Sequence, residues 1–141
     1  MISPAPAVEL AHWLVERQVA LIGVEPPSVA DVNNIEELTG YYASAVKIFN
    51  QSHRVTVRDN LVIDHPHSNG VWYDVGNRDG VFVNNWVENA LIGFFFEISR
   101  GATVAGNVFV NCDRGVWVLN SANARVYHNT FVDSVASFER N

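Results

Sequence analysis

The sequence predicts an all-β protein: a single-stranded right-handed parallel β-helix of four to five coils, preceded by a short N-terminal helix and strand segment. The main observation is an internal repeat, because four asparagines are spaced by 25, 22 and 22 residues. Each has an apolar residue three positions before it and another two positions after it. The repeat units hold short β-branched or aromatic runs between turn residues, with no room for a helix. The asparagines are Asn60, Asn85, Asn107 and Asn129.

Residues 1–39 lack the residue pattern of the repeats and are predicted to form a separate segment. Apolar positions recur at helical spacing from Val8 to Val15, and a short apolar run at 19–24 ends at Pro26. The stretch HWLVERQVALIGVEPPSVADVNNIEEL resembles a segment of the cyclase family that includes the kynurenine formamidases. That family's HxGTHxDxPxH metal motif is absent here, so no metal and no cyclase activity are carried over. The segment is interpreted as a cap or a join of unrelated origin.

Residues 40–141 are predicted to form the β-helix itself. A second ladder accompanies the asparagines at Gly70, Gly93 and Gly115, with Ser137 in the fourth copy and Ala45 in an earlier one. Leucine-rich repeats have a similar period but need a leucine ladder, and this region has only three leucines. The asparagines are therefore expected to be turn residues, stacked in a ladder and tolerant of left-handed backbone geometry.

Composition excludes several classes of function. Nine Lys and Arg residues against 15 acids give a net charge of −6, which argues against a nucleic-acid partner. No apolar run is long enough to cross a membrane. The start of the chain lacks the basic region of a signal peptide, which leaves the compartment open with the cytoplasm as the default. With one cysteine, the chain has neither a disulfide nor a cysteine-based zinc site, and we expect no cofactor.

The strand after each glycine carries the residues of most interest. Because side chains alternate along a strand, one face of this strand is apolar and points into the coil, while the other faces outward. The outward face has two levels. The first level is predicted to hold Lys47, Trp72, Phe95, Trp117 and Glu139, and the second Phe49, Asp74, Glu97, Leu119 and Asn141.

Asp74 and Glu97 are thereby predicted to be neighbours, one coil apart. Stacked strands lie about 4.8 Å apart, and like charges at that distance are destabilising. A fold that had no use for the pair would therefore tend to avoid it. Retaining glycosidases hold two carboxyl groups roughly 5–5.5 Å apart, one as nucleophile and one as acid and base. The bland alternative is a pair of solvated acids, with the aromatic residues covered by a loop or a second chain.

The stretch GVWYDVGNRDGVFVNNWVENALIGFFFEIS resembles the β-helix glycoside hydrolases related to the β-xylosidase family with this fold. The resemblance covers about residues 44–135 and implies Asp74 as nucleophile and Glu97 as general acid/base. It also implies Trp72 as a substrate platform. His65, His67 and Asn69 precede Gly70 and are candidates to reach the same groove. A metal held by the two histidines would need ligands that the sequence does not identify, so no metal is predicted.

The resulting hypothesis is a retaining glycosidase for xyloside-like or related plant oligosaccharides. Its catalytic residues are Asp74 and Glu97, and its substrate-binding residues are Trp72, Phe95, Trp117, Lys47, His67 and Asn69. The alternative is a non-catalytic glycan-binding or structural β-helix module. A further alternative is a polysaccharide lyase, for which Lys47 is the only basic residue on the strand face. The partner is an oligosaccharide or glycoside, and exposed β-helix ends are expected to favour self-association.

Overall fold

A computed structural model describes residues 43–141. Within this range the chain is all-β, contains no helix and forms a parallel β-helix of about four turns, as predicted. The predicted N-terminal helix and strand lie outside the described residues. The strands are β1 Ser44–Phe49, β2 Thr56–Arg58, β3 Leu61–Asp74, β4 Arg78–Val83, β5 Trp86–Glu97, β6 Arg100–Ala105, β7 Val108–Val110, β8 Arg114–Leu119, β9 Arg125–Tyr127, β10 Thr130–Val132 and β11 Ala136–Glu139.

Each turn passes three sheet faces in the same order, and every strand pairing is parallel. Face 1 contains β1, the second halves of β3 and β5, β8 and β11. Face 2 contains β2, β4, β6 and β9. Face 3 contains the first halves of β3 and β5, then β7 and β10. The long strands β3 and β5 bend from face 3 to face 1, where their register shifts between His65 and Asn69.

The interior is filled by the alternate residues that the sequence pattern predicts to point inward. Val71, Tyr73, Phe94 and Phe96 are almost fully buried in one apolar cluster. The aromatic rings stack from turn to turn, with Phe94 and Phe96 centroids 6.2 Å apart. Burying a large apolar side chain contributes about 1.5–3 kcal/mol, so this column of rings supports the coil from within.

The asparagine ladder is confirmed at the corner between faces 2 and 3. The left-handed backbone conformation expected of these asparagines belongs instead to the residue before each of them, namely Asp59, Asn84, Gly106 and His128. The side-chain oxygen of Asn107 accepts bonds from the backbone N–H and the side-chain amide of Asn85, at 2.9 and 3.0 Å. The Asn107 amide in turn donates to the Phe82 carbonyl and to Asn129. Each asparagine therefore satisfies its own turn and the turn of its neighbour.

The glycine ladder has a steric cause. A Cβ on Gly70 would lie 2.6 Å from the carbonyl oxygen of Gly93, and a Cβ on Gly93 would lie 2.7 Å from that of Gly115. The backbones approach too closely at Gly70 and Gly93 for any larger residue. Ala45 occupies the equivalent position one turn earlier, since Ser44 pairs with Asn69 and Val46 with Val71.

The predicted register of the last coil is wrong by two residues. Ser137, not Glu139, pairs with Trp117, and Glu139, not Asn141, pairs with Leu119. Ser137 is therefore not the fourth member of the glycine ladder, because Val135 lies beside Gly115 and accepts a bond from its N–H. Strand β11 ends at Glu139, so Arg140 and Asn141 lie beyond the strand on which they were predicted.

Among the described residues, no helix is long and apolar enough to cross a membrane.

Candidate functional site

The outward side of face 1 carries an aromatic column. Trp72, Phe95 and Trp117 are register partners on three successive strands. Their rings stack with centroids 4.9 and 4.6 Å apart and planes within 18° of parallel. Trp72 and Phe95 are almost completely buried, together with Ile92 and Leu119. Stacking at this spacing directs the ring faces toward one another along the helix axis.

Cations cover both ends of this column. The Lys47 ammonium lies 3.7 Å from the centroid of the Trp72 ring, and the Arg114 guanidinium lies 4.2 Å from the centroid of the Trp117 ring. A cation over an indole contributes about 0.5–2 kcal/mol, more where water is excluded. Arg114 was not among the predicted site residues. Its position three residues before Trp117, at the start of the same strand, is the signal that could have revealed it.

Asp74 and Glu97 lie beside the column and are register partners, as predicted. Their Cα atoms occupy adjacent parallel strands, about 4.8 Å apart. Both residues are buried, with exposed fractions of 6 and 9 %. The Lys47 ammonium lies 3.1 Å from Asp74 Oδ2 and so offsets one of the two negative charges. This arrangement explains how a carboxylate is tolerated at a buried position on the sheet.

The remaining predicted site residues do not join this cluster. His67 is exposed, and its neighbour His65 has Nδ1 3.4 Å from the Ser68 hydroxyl. Asn69 is fully buried, and its backbone N–H donates to the Ala43 carbonyl. Five residues of strand separate Asn69 from Asp74, which corresponds to about 16 Å. The structure thus brings together Lys47, Trp72, Phe95, Trp117, Asp74 and Glu97.

An open groove lies beside the carboxylate pair, at the corner between faces 1 and 2. Its volume is about 650 Å³, and its walls come from equivalent turn positions of successive coils. Its lining includes the aliphatic side chains of Val75 and Ile98, the amide of Gln51 and the basic side chains of His53, Arg78 and Arg100. Sequence reasoning missed this groove. The spacing of its three basic residues, 25 and 22, equals the first two spacings of the asparagine ladder and is a signal that could have found it.

Two β-branched residues of the groove have an unfavourable backbone conformation. Val75 and Ile98 have φ of 46° and 44°, and both directly follow a member of the carboxylate pair. A β-branched residue rarely adopts positive φ, and such a conformation costs on the order of 1–3 kcal/mol. The equivalent positions in the flanking coils are Asn50 and Asn120, also at positive φ, where asparagine is tolerated. Among the four described coils that have this position, a β-branched residue therefore occupies it only in the two that carry Asp74 and Glu97.

Comparison with known proteins decides the family. The family model for the periplasmic copper-binding protein NosD matches residues 30–141. The chain belongs to the NosD family. No curated protein and no solved structure matches it. The match to the NosD family agrees with a parallel β-helix, which the resemblance to glycoside hydrolases also implied. It does not support a relationship to the β-xylosidases.

Proposed function

We propose that this chain is a non-catalytic β-helix module that binds an oligosaccharide along the groove between faces 1 and 2. The groove carries the proposal, because its walls repeat from coil to coil and it runs along the helix axis. A site of this form suits a linear ligand with a repeating structure. Its volume of about 650 Å³ is within the range of roughly 300–1,000 Å³ that small-ligand sites occupy.

The composition of the groove supports a sugar ligand. Val75 and Ile98 present half-exposed aliphatic surface at its rim, with exposed fractions of 36 and 50 %. Gln51 and the basic side chains line the same groove and supply hydrogen-bond donors. The ring carbons of a sugar can lie against the aliphatic rim while its hydroxyl groups meet the donors. Strained residues are retained where the surrounding structure has a use for them, which agrees with a role for this rim.

Val75→Asn and Ile98→Asn together test the proposal without threatening the fold. Asparagine tolerates the positive φ at both positions, so the double variant should be at least as stable as the parent chain. Isothermal titration against xylo-, cello- and galacturono-oligosaccharides should show binding by the parent chain and at least tenfold weaker binding by the variant. Val132→Asn, on exposed strand β10, is the control and should bind normally. Binding that is unchanged in the double variant would contradict the proposal.

Retaining glycoside hydrolysis is the second candidate, favoured by the register of Asp74 and Glu97. A retaining mechanism needs an ionised nucleophile and a protonated acid. The Lys47 ammonium lies 3.1 Å from Asp74 Oδ2, while Glu97 follows three phenylalanines. The same pair also has a structural use, because Lys47 links Asp74 to the end of the aromatic column. Lys47 is engaged in both contacts, which disfavours the lyase alternative, where it would act as a base.

Hydrolysis assays separate the two candidates. The chain is incubated with aryl β-xyloside, α-arabinofuranoside and β-glucoside beside Asp74→Asn, Glu97→Gln and the surface control Asp133→Asn. A binding module should release no aryl group above background in any form. Hydrolysis by the parent chain and by Asp133→Asn, but by neither of the other two, would establish the glycosidase and overturn the non-catalytic proposal.

Copper binding, which the family's name carries, does not fit the described residues. Copper prefers imidazole and soft sulfur ligands. Within residues 43–141, no three His, Cys, Asp or Glu side chains are grouped to hold a metal ion. Burial raises the pKa of the Cys112 thiol, whereas a metal ligand must be a thiolate. No step of the proposed function therefore passes through copper.

A further inference from the structure

The groove contains a column of three basic side chains that neither the asparagine ladder nor the carboxylate pair accounts for. His53 and Arg78 are bridge partners, and Arg78 and Arg100 are register partners. All three side chains are exposed and occupy successive turns. Their backbones are about 4.8 Å apart, a spacing at which like charges on neighbouring strands are destabilising. In a chain of net charge −6, this alignment favours an anionic ligand.

Acidic side chains of the described region do not neutralise this column. None of the ion pairs between described residues involves His53, Arg78 or Arg100. The nearest acid in sequence is Asp79, whose carboxylate lies above Gly101, where a Cβ would come within 2.5 Å of Oδ1. The two guanidinium groups are thus available to a ligand, and each presents a planar set of N–H donors.

The polar groups behind the column are already engaged. The Asn77 amide donates to the carbonyls of Ile48 and Asp74, and its side-chain oxygen accepts a bond from the Ser52 N–H. The Ser99 hydroxyl donates to the Glu97 carbonyl and accepts from the Asn77 N–H. These bonds hold the turns together. The groups left to recognise a ligand are therefore the basic side chains and the amides of Gln51 and Asn120, all of which offer N–H donors. The two arginines add positive charge to this donor set, which favours an anionic ligand over a neutral one.

From this arrangement we infer that the groove selects acidic oligosaccharides, with the carboxylates of a uronate chain on Arg78 and Arg100 and its sugar rings against Val75 and Ile98. This inference rests on the proposed binding function and narrows it to one class of ligand. Arginine suits the role because its planar guanidinium pairs with a carboxylate through two parallel hydrogen bonds. A uronate oligomer carries one carboxylate on every sugar, and Arg78 and Arg100 place a cation on each of two successive turns. Carboxylates on neighbouring sugars can therefore lie beside guanidinium groups on neighbouring turns.

A matched pair of ligands tests the inference. Tetragalacturonate and its methyl ester share the same rings and hydroxyl groups and differ in charge. Isothermal titration of the full chain should give at least tenfold tighter binding of the acid, about 1.4 kcal/mol, and this preference should shrink as salt is raised. Arg78→Gln with Arg100→Gln should bring the acid down to the affinity of the ester. Arg58→Gln, an exposed arginine of β2 paired with Asp59, is the control and should keep the preference.

The outcomes separate this inference from the proposed function. Equal affinity for acid and ester would overturn the selectivity and leave the binding module in place. Binding of neither ligand would overturn the inference, and failure of the neutral xylo- and cello-oligosaccharides as well would overturn the binding module. Preference for the acid that survives the double arginine substitution would overturn the assignment to this groove. If tripolyphosphate competes as strongly as tetragalacturonate, the groove recognises charge alone. That outcome would contradict the inference that sugar rings lie against Val75 and Ile98.

Discussion

At the scale of single residues, Lys47 connects the two features of face 1, since its ammonium contacts both the Asp74 carboxylate and the Trp72 ring. The side chain of Asp74 is 8 % exposed and that of Lys47 is 33 % exposed. Exposed ion pairs contribute about 0.2–1 kcal/mol to stability, whereas disrupting a buried pair costs about 3–5 kcal/mol. Because this pair is partly buried, we expect its contribution to lie between these values. Lys47 is thus a residue whose charge, more than its bulk, matters for the fold.

Lys47→Met is expected to lower the free energy of unfolding by about 2 kcal/mol, because the buried Asp74 carboxylate loses this ion pair while the aliphatic packing is retained. Urea unfolding followed by circular dichroism measures the change. Lys47→Arg is the matched control, since it keeps a cation within reach of both partners, and it should cost less than half as much. Equal stability of the Met variant and the parent chain would show that the ion pair contributes nothing to the fold.

Tyr73 is predicted to make stability depend on alkaline pH. Its hydroxyl lies 3.2 Å from the carbonyl oxygens of Val55 and Val81, and burial raises its pKa well above the ordinary value of about 10. The neutral phenol contributes stability that is fully present below pH 10. Above that pH the unfolded chain ionises and the folded chain does not, so the free energy of unfolding falls by up to about 1.4 kcal/mol per pH unit.

Tyr73→Phe should remove this component of the decline above pH 10 and cost about 1 kcal/mol at neutral pH through the lost hydrogen bond. Urea unfolding from pH 8 to pH 11.5 compares the slopes of the two chains. Tyr127→Phe, which alters a half-exposed tyrosine, is the control and should keep the slope of the parent chain. Identical slopes for parent and Tyr73→Phe would contradict the assignment.

At the scale of elements, the corners between faces determine which strands stack. In the asparagine ladder, side-chain hydrogen bonds connect each turn to the next, and each inner asparagine bonds to the coil before it and to the coil after it. Stacked repeats of this kind gain their stability from contacts between neighbours, so a defect at an inner corner weakens two interfaces at once. The loss of stability on substituting a ladder asparagine should therefore depend on its position along the ladder as much as on the residue that replaces it.

Asn107→Ala tests this dependence on position. The substitution removes two bonds that Asn107 donates and two that it accepts, all within the buried or half-buried corner. We expect a loss of about 2–4 kcal/mol, because buried backbone groups are left without partners. Asn60→Ala, at the outer end of the ladder, removes only two donated bonds and should cost about 1 kcal/mol or less. Equal costs at the two positions would contradict the cooperative ladder.

Sequence periodicity predicts the elements best at positions where the backbone geometry accepts only one type of residue. The asparagine corners and the close approach at Gly93 leave no alternative residue, so spacing alone locates them. The last coil lacks its glycine, and without that marker the register of Phe138 was set two residues off. Spacing also placed Trp72, Phe95 and Trp117 at one level, but stacking of ring on ring depends on side-chain torsions that periodicity does not encode.

At the scale of the whole molecule, the β-helix leaves strands β9, β10 and β11 paired on one side only within the described chain. The last coil also exposes apolar side chains, with Phe138 at 60 % and Val135 at 54 %. Unpaired strand edges beside apolar surface favour pairing with another strand. The exposed apolar residues and the edges lie together on one coil, so this coil is where we expect a second copy to bind.

We propose that the chain of 141 residues, studied by itself in solution, self-associates reversibly through this coil. Sedimentation velocity over a wide concentration range should show a weight-average mass that rises above 15.7 kDa as the concentration increases. Phe138→Lys places a charge on the exposed surface and should shift association to higher concentration by tenfold or more. Leu61→Lys, equally exposed but on the first half of β3, should leave association unchanged. If both lysine variants shift association equally, surface hydrophobicity in general, and not this coil, drives it, and a constant monomer mass would contradict association altogether.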